Sequence, residues 1–334
     1  MSKSYSYEKS DESIITPSFE KYIVKPVLRI IPRRIPANII TLFSNFIWYA
    51  MVPLLLFNRG NGEFLNYILI PAGIFLYMLG DFIDGDQAVR TGTQSPLGDF
   101  IDHYLDCFNN GILILYFWII FDMTHPWLFA VYLGLSYLGG TALVYEHYRK
   151  GVFHFGKFGT SEGLVLAMLI IFLATFSPVR EVLRADVLGD YNSFELLFLI
   201  LTVMSYIPTF AQVVSRLKGI SPRFWLYIAG LAVLCWAGPV LNGIPGIIAA
   251  IALYSGVYIG RLIQARLSRG SEPLPDFVMP VVGLGFAILV HFVVFDWAYA
   301  EAAIITAGAV QVLYIFISTV YRYRQQWLWV NPAN

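Results

Sequence analysis

Apolar stretches of about 20 residues, one after another, constrain this chain more than any other feature. A helix needs about 20 mostly apolar residues to cross a bilayer. Ten segments reach or approach that length: 38–57, 65–83, 98–121, 126–146, 161–178, 194–213, 223–240, 245–265, 276–296 and 299–320. The ninth and tenth abut, so a merged or re-entrant pair is the alternative there. Composition agrees, with 57% hydrophobic and 13% charged residues against about a quarter charged in a soluble domain. The expected fold is therefore all-α, a polytopic membrane helix bundle of about ten transmembrane helices.

Charge placement gives the orientation. The 22 Lys and Arg balance the 22 Asp and Glu, which leaves no basic excess for a nucleic-acid partner. With the N-terminus in the cytoplasm and ten spans threaded, only Arg59, Arg180 and Arg184 fall on the far side, and the other 19 face the cytoplasm. Such a bias is the positive-inside pattern. Ahead of the first span, residues 17–35 carry Lys21, Lys25 and Arg29 on one helical face and Phe19, Ile23, Val27 and Ile30 on another. That reads as an interfacial amphipathic helix kinked near Pro26. The first apolar run starts too late for an ordinary signal peptide, so no cleavage is expected. Cys107 and Cys235 lie in apolar segments and imply no disulfide framework. The expected organisation is a cytoplasmic segment (1–35), a first membrane domain (36–215) and C-terminal transmembrane helices (216–334).

Residues 80–107, GDFIDGDQAVRTGTQSPLGDFIDHYLDC, hold six aspartates beside apolar sequence on both flanks. Acids near a membrane core are costly and mark function. Asp81 and Asp84, at i and i+3, share a helical face, as do Asp102 and Asp106 at i and i+4. The polar TGTQSP turn lets the two helices run antiparallel, so the pairs can face each other. Four carboxylates that close need cations, and hard oxygen ligands suit Mg²⁺, Mn²⁺ or Ca²⁺. Asp86 points about 160° from Asp84 and is the weakest ligand candidate. Asp99 lies on nearly the same stripe as Asp106. His103 reads as a structural hydrogen-bonding residue, and Glu146, His147 and Glu162 as polar residues at cytoplasmic helix ends, either lining a ligand pocket or lying at the interface.

This stretch resembles the CDP-alcohol phosphotransferase pattern D-x2-D-G-x2-A-R-x8-G-x3-D-x3-D. Asp81, Asp84, Gly85, Ala88, Gly98, Asp102 and Asp106 stand at the matching places. The arginine position holds Val89, with Arg90 adjacent, about 100° away on a helix. TQSPLGDFIDHYLD, with Asp99 and His103, looks like the choline/ethanolamine branch of that family. YEHYRKGVFHFGKFGTSEG, ending in Glu162-Gly163, and GRLIQARLSRGSEPLPDF resemble it more loosely.

The resemblance implies a site and a reaction. Two Mg²⁺ or Mn²⁺ ions would sit on Asp81, Asp84, Asp102 and Asp106, with Asp106 also the catalytic base. Gly85, Ala88, Arg90, Gly98 and Glu162 would bind the donor. A phospho-alcohol head group would pass from a CDP-alcohol donor to a diacylglycerol-like lipid, with CMP released. The enzyme would be an integral membrane protein with its site on the cytoplasmic face, and a homodimer is compatible with it. The residues leave three alternatives open: phosphatidyl transfer from CDP-diacylglycerol to a polar alcohol, a divalent-cation transporter, and an inactive paralogue with Val89 as its mark.

Overall fold

Apolar runs fold as helices here because a backbone surrounded by hydrocarbon must satisfy its own polar groups. The computed structural model describes residues 8–58, 63–157, 159–241, 243–289 and 297–326. The first seven residues, Arg59, the end of the ninth expected span (290–296) and residues 327–334 lie outside the described residues. The elements are β1 (Glu8–Asp11), α1 (Thr16–Phe19), a π-helical turn (Glu20–Val24), α2 (Lys25–Ile30), α3 (Ala37–Phe57), α4 (Glu63–Thr91), α5 (Pro96–Phe121), α6 (Pro126–Lys150), β2 (Val152–Phe155), α7 (Thr160–Leu173), α8 (Ser177–Arg184), β3 (Asp186–Leu188), β4 (Tyr191–Asn192), α9 (Ser193–Leu217), α10 (Pro222–Leu241), α11 (Ile244–Ser268), α12 (Val278–Leu289), α13 (Trp297–Arg322) and a 3-10 turn (Arg324–Gln326).

Helices occupy all ten expected places, yet length and composition qualify fewer of them as crossings. Among the described residues α3, α4, α6, α9, α11 and α13 pass, and α7 with α8 makes a seventh if the bent pair is one span. α5, which carries three aspartates, His103 and two asparagines, is not among them, and α12 has 12 described residues. The fifth segment breaks before Pro178, and its two helices meet at 112°. Two small sheets interrupt the all-helical pattern: β1 pairs in parallel with β2, and β3 antiparallel with β4.

The centre of the bundle is α11, whose most apolar window is 83% buried, against 11% for peripheral α9. It packs on α5, α6 and α13. Gly256 and Gly260 make the approach of α5 close: a Cβ on Gly256 would stand 2.6 Å from the Phe108 ring, and one on Gly260 2.5 Å from the Tyr104 ring. Small residues four apart let helices meet this way in membranes.

The N-terminal segment is more than an interfacial helix. The helical turn widens to π geometry over Glu20–Val24, directly before Pro26, where the proline ring and its missing N–H disrupt the ordinary ladder. One face packs on the bundle, with Val24 buried and Phe19 meeting Phe75 and Phe82 of α4 edge-on. Tyr22 and Ile30 are exposed.

Candidate active site

The junction of α4 and α5 is built by local chemistry. Gly92 adopts a left-handed conformation (φ +66°) after α4. Its N–H donates to the Val89 carbonyl and the Thr93 N–H to the Ala88 carbonyl, the two bonds of a Schellman ending. Ser95 then caps α5, its hydroxyl accepting from the Gly98 N–H, with Pro96 at the first helical position. The turn between these caps folds α5 back along α4.

That return brings the acids together. Carboxylate oxygens of Asp81, Asp102 and Asp106 lie within 4.8 Å of one another. Ionised pairs at this spacing repel by on the order of 3 kcal/mol each at an effective dielectric constant of about 20. The donor set is hard, half-buried and converging, and it fits a divalent cation such as Mg²⁺ or Mn²⁺. Asp84 lies beside the trio, buried, and accepts a hydrogen bond from the Thr41 hydroxyl of α3. Asp106 Oδ1 accepts from the Tyr77 hydroxyl at 2.8 Å and from Asn109 Nδ2 at 3.1 Å, so Oδ2 is the oxygen with capacity left.

A cavity of about 530 Å³ opens over these groups, lined by all four acids and by Gly85, Ala88 and Gly98. A Cβ built on Gly85 meets nothing within 4 Å, so a ligand can approach the backbone there. Asp86 stands on the lining but outside the trio.

Asp99 is turned elsewhere: its carboxylate takes an ion pair from Arg266 of α11 and lies 3.2 Å from His103 Nδ1. The same ring nitrogen lies 2.8 Å from the Asp99 carbonyl, and the His103 ring stacks on Phe153 of β2 at 4.6 Å. Glu146 and His147 are buried outside the lining. Glu146 is held by Arg216 at 2.7 Å.

Two expected donor-binding residues have other employment. The Glu162 carboxylate reaches the N-terminal segment, accepting from the Ser13 hydroxyl and the backbone N–H groups of Ile14 (2.9 Å) and Ile15 (3.2 Å), and it closes the α7 capping box with Gly159 at 2.8 Å. It still borders the cavity. The structure does not bring Arg90 to the cavity. Its guanidinium donates to the Leu28 and Ile31 carbonyls at the end of α2 and to Gln87 Oε1. One residue of helical rotation accounts for this, because it is Val89, 61% exposed, that faces the lining.

Arg90 is thus a clasp for residues 28–31. Arg90→Ala is expected to speed protease cleavage within residues 8–31 by about tenfold, the effect of losing roughly 1.4 kcal/mol of local stability. The KM for donor should stay within about twofold, and a large rise in KM would instead place Arg90 on the ligand.

Sequence reasoning missed the contribution of α3. Thr41, Asn45 and Trp48 recur at helical spacing inside an apolar span, and this polar stripe was the available signal. Arg266 counted only as a topology charge, since nothing local links it to Asp99.

The family model "CDP-alcohol phosphatidyltransferase" matches residues 34–257. The chain belongs to that family, as a multi-pass membrane transferase of phospholipid biosynthesis. A choline/ethanolaminephosphotransferase of Saccharomyces cerevisiae is 25% identical over 315 residues, covering 81% of this chain and 78% of that protein. A cholinephosphotransferase of the same yeast is 23% identical over 349 residues, covering 91% and 86%. A cholinephosphotransferase of Rattus norvegicus is 31% identical over 179 residues, covering 51% of this chain and 44% of the rat protein.

Proposed function

We propose that the protein transfers a phosphocholine- or phosphoethanolamine-class head group from a CDP-alcohol to a diacylglycerol-like lipid, with the site on the cytoplasmic face. The lining of the cavity carries this reading. Among the described residues it includes Asp and Glu but no Lys or Arg. Such a wall suits a cationic amino-alcohol head group. A pocket for an anionic alcohol phosphate would instead present Arg or Lys. One part of the lining is polar, with Ser95, Thr93 and Gln94, and another is apolar, with Leu113, Leu143 and Val144. A polar nucleotide and a lipid can therefore meet at the acids between.

Divalent ions held by Asp81, Asp84, Asp102 and Asp106 would supply charge neutralisation for the pyrophosphate and for departing CMP. Asp106 takes the proton of the lipid hydroxyl, whose oxygen attacks the β-phosphorus as the bond to CMP breaks. Gly85, Ala88 and Gly98 leave the nucleotide room against the helix backbones. Residues 36–215 supply these groups, and the helices of 216–334 back them.

A second reading of the base rests on one observation. His103 borders the cavity with Nδ1 turned to Asp99, an arrangement that orients the other ring nitrogen as a proton acceptor.

The test of the overall reading is CMP release by purified protein with Mg²⁺ or Mn²⁺. CDP-choline or CDP-ethanolamine with diacylglycerol should release CMP. CDP-diacylglycerol with glycerol phosphate, inositol or serine should not, and the reverse pattern would make the protein a phosphatidyl-transferring enzyme.

A further inference from the structure

One wall of the cavity carries two buried polar groups that the proposed reaction does not use. Trp48 of α3 is 1% exposed, tilted against Tyr77 and Tyr116, and its indole Nε1–H has no hydrogen-bond partner among the described residues. Asn109 of α5, one turn beyond Asp106, is 7% exposed. Its Nδ2 donates to Asn45 Oδ1 at 3.2 Å and to Asp106 Oδ1 at 3.1 Å, which fixes the amide orientation. Its Oδ1 has no partner among the described residues. Both residues border the cavity.

Nearly all buried polar groups in proteins are paired, and an orphan costs stability. Two orphans on one cavity, a donor and an acceptor, define a ligand with the complementary pair. Indole N–H is a donor only, so its partner must be an acceptor such as a carbonyl. The Asn109 oxygen requires a donor such as a hydroxyl. A glycerol lipid with one free hydroxyl and ester-linked chains offers both on neighbouring carbons. Its hydroxyl at Asn109 would stand beside Asp106, which Asn109 already contacts.

We propose that Trp48 and Asn109 form the acceptor-lipid subsite, in which Trp48 Nε1–H reads an ester carbonyl and Asn109 Oδ1 holds the free hydroxyl. This rests on the proposed transfer only in taking the lipid to be its acceptor. The site selects ester-linked over ether-linked lipids, because an ether lacks the carbonyl oxygen that projects from the chain and so leaves the indole N–H unpaired.

The experiment reads binding without any CDP-alcohol. Purified full-length protein in nanodiscs is labelled with a photoreactive diacylglycerol, and labelling is competed by 1,2-diacylglycerol or by 1,2-dialkylglycerol of equal chain length. In the wild type the ester lipid should compete about tenfold better. Trp48→Phe, which keeps an aromatic ring and removes the N–H, should reduce that preference to within about twofold. Equal competition by the two lipids in the wild type, where no folding question arises, would overturn the proposal. So would a preference that survives in Trp48→Phe, with an ordered water then the only partner of the indole. Ester preference without CMP release from any CDP-alcohol would keep this subsite and refute the transfer. Transfer without ester preference would do the opposite.

Discussion

Asp102→Asn lowers CMP release by about a thousandfold or more, equivalent to roughly 4 kcal/mol of transition-state stabilisation, without unfolding the protein. Asparagine keeps the shape of the side chain and removes one of three carboxylates crowded within 4.8 Å. The metal-free fold should therefore be no less stable than the wild type, since like-charge repulsion is relieved. Thermal unfolding in detergent separates the two effects. Mg²⁺ raises the wild-type melting temperature because it binds the folded site, and that rise shrinks in Asp102→Asn. EDTA abolishes wild-type turnover, and Mg²⁺ or Mn²⁺ restores it. Asp86→Asn stays within about twofold of wild type, as Asp86 lies outside the trio. Near-normal turnover by Asp102→Asn, or in metal-free buffer, would remove the metal centre from the mechanism.

The identity of the base gives the second large effect. Asp106→Asn should abolish turnover while donor binding persists, but loss of a metal ligand would do the same. His103→Gln is the discriminating variant. With Asp106 as base it costs less than about tenfold. With His103 as base it costs about a thousandfold, and the acid-side fall of the pH–rate profile that reports imidazole protonation disappears with it. Asp99→Asn should then follow His103→Gln, since Asp99 is what Nδ1 faces.

The acids were legible because their pairing is local. Asp81 with Asp84 and Asp102 with Asp106 fall on helical faces by spacing alone, and the Gly92 and Ser95 signals say where one helix stops and the next begins. Helix positions followed from apolar runs for the same reason. Membrane crossings were less legible, since a bent pair such as α7–α8 blurs the relation between apolar length and span. Roles set by distant contacts were hidden. Arg90 sits one place from the family arginine, yet its direction is decided by carbonyls of α2. Glu162 borders the cavity, but nothing in the sequence shows that its oxygens also serve Ser13–Ile15, 149 residues away for the Ser13 bond. Neither partner has a periodicity or motif that announces it.

The fastening of the N-terminal segment sets an order on how the protein is made. Residues 8–15 leave the ribosome long before their anchors, for β1 pairs with Val152–Phe155 and Ser13–Ile15 bond to Glu162. By then α3 to α6 have all been synthesised, and with them every aspartate of the cluster. Phe19 can meet Phe75 and Phe82 as soon as α4 is made, but residues 8–15 must wait for β2 and α7. Such delayed, long-range closure is slow relative to helix formation. Ser13 and Glu20 both border the cavity, as does Ile259 of α11, so its wall is incomplete when α7 arrives and closes only after α11. The nascent protein thus holds its carboxylates in place before it holds the enclosure around them, and competence for chemistry is acquired late in synthesis.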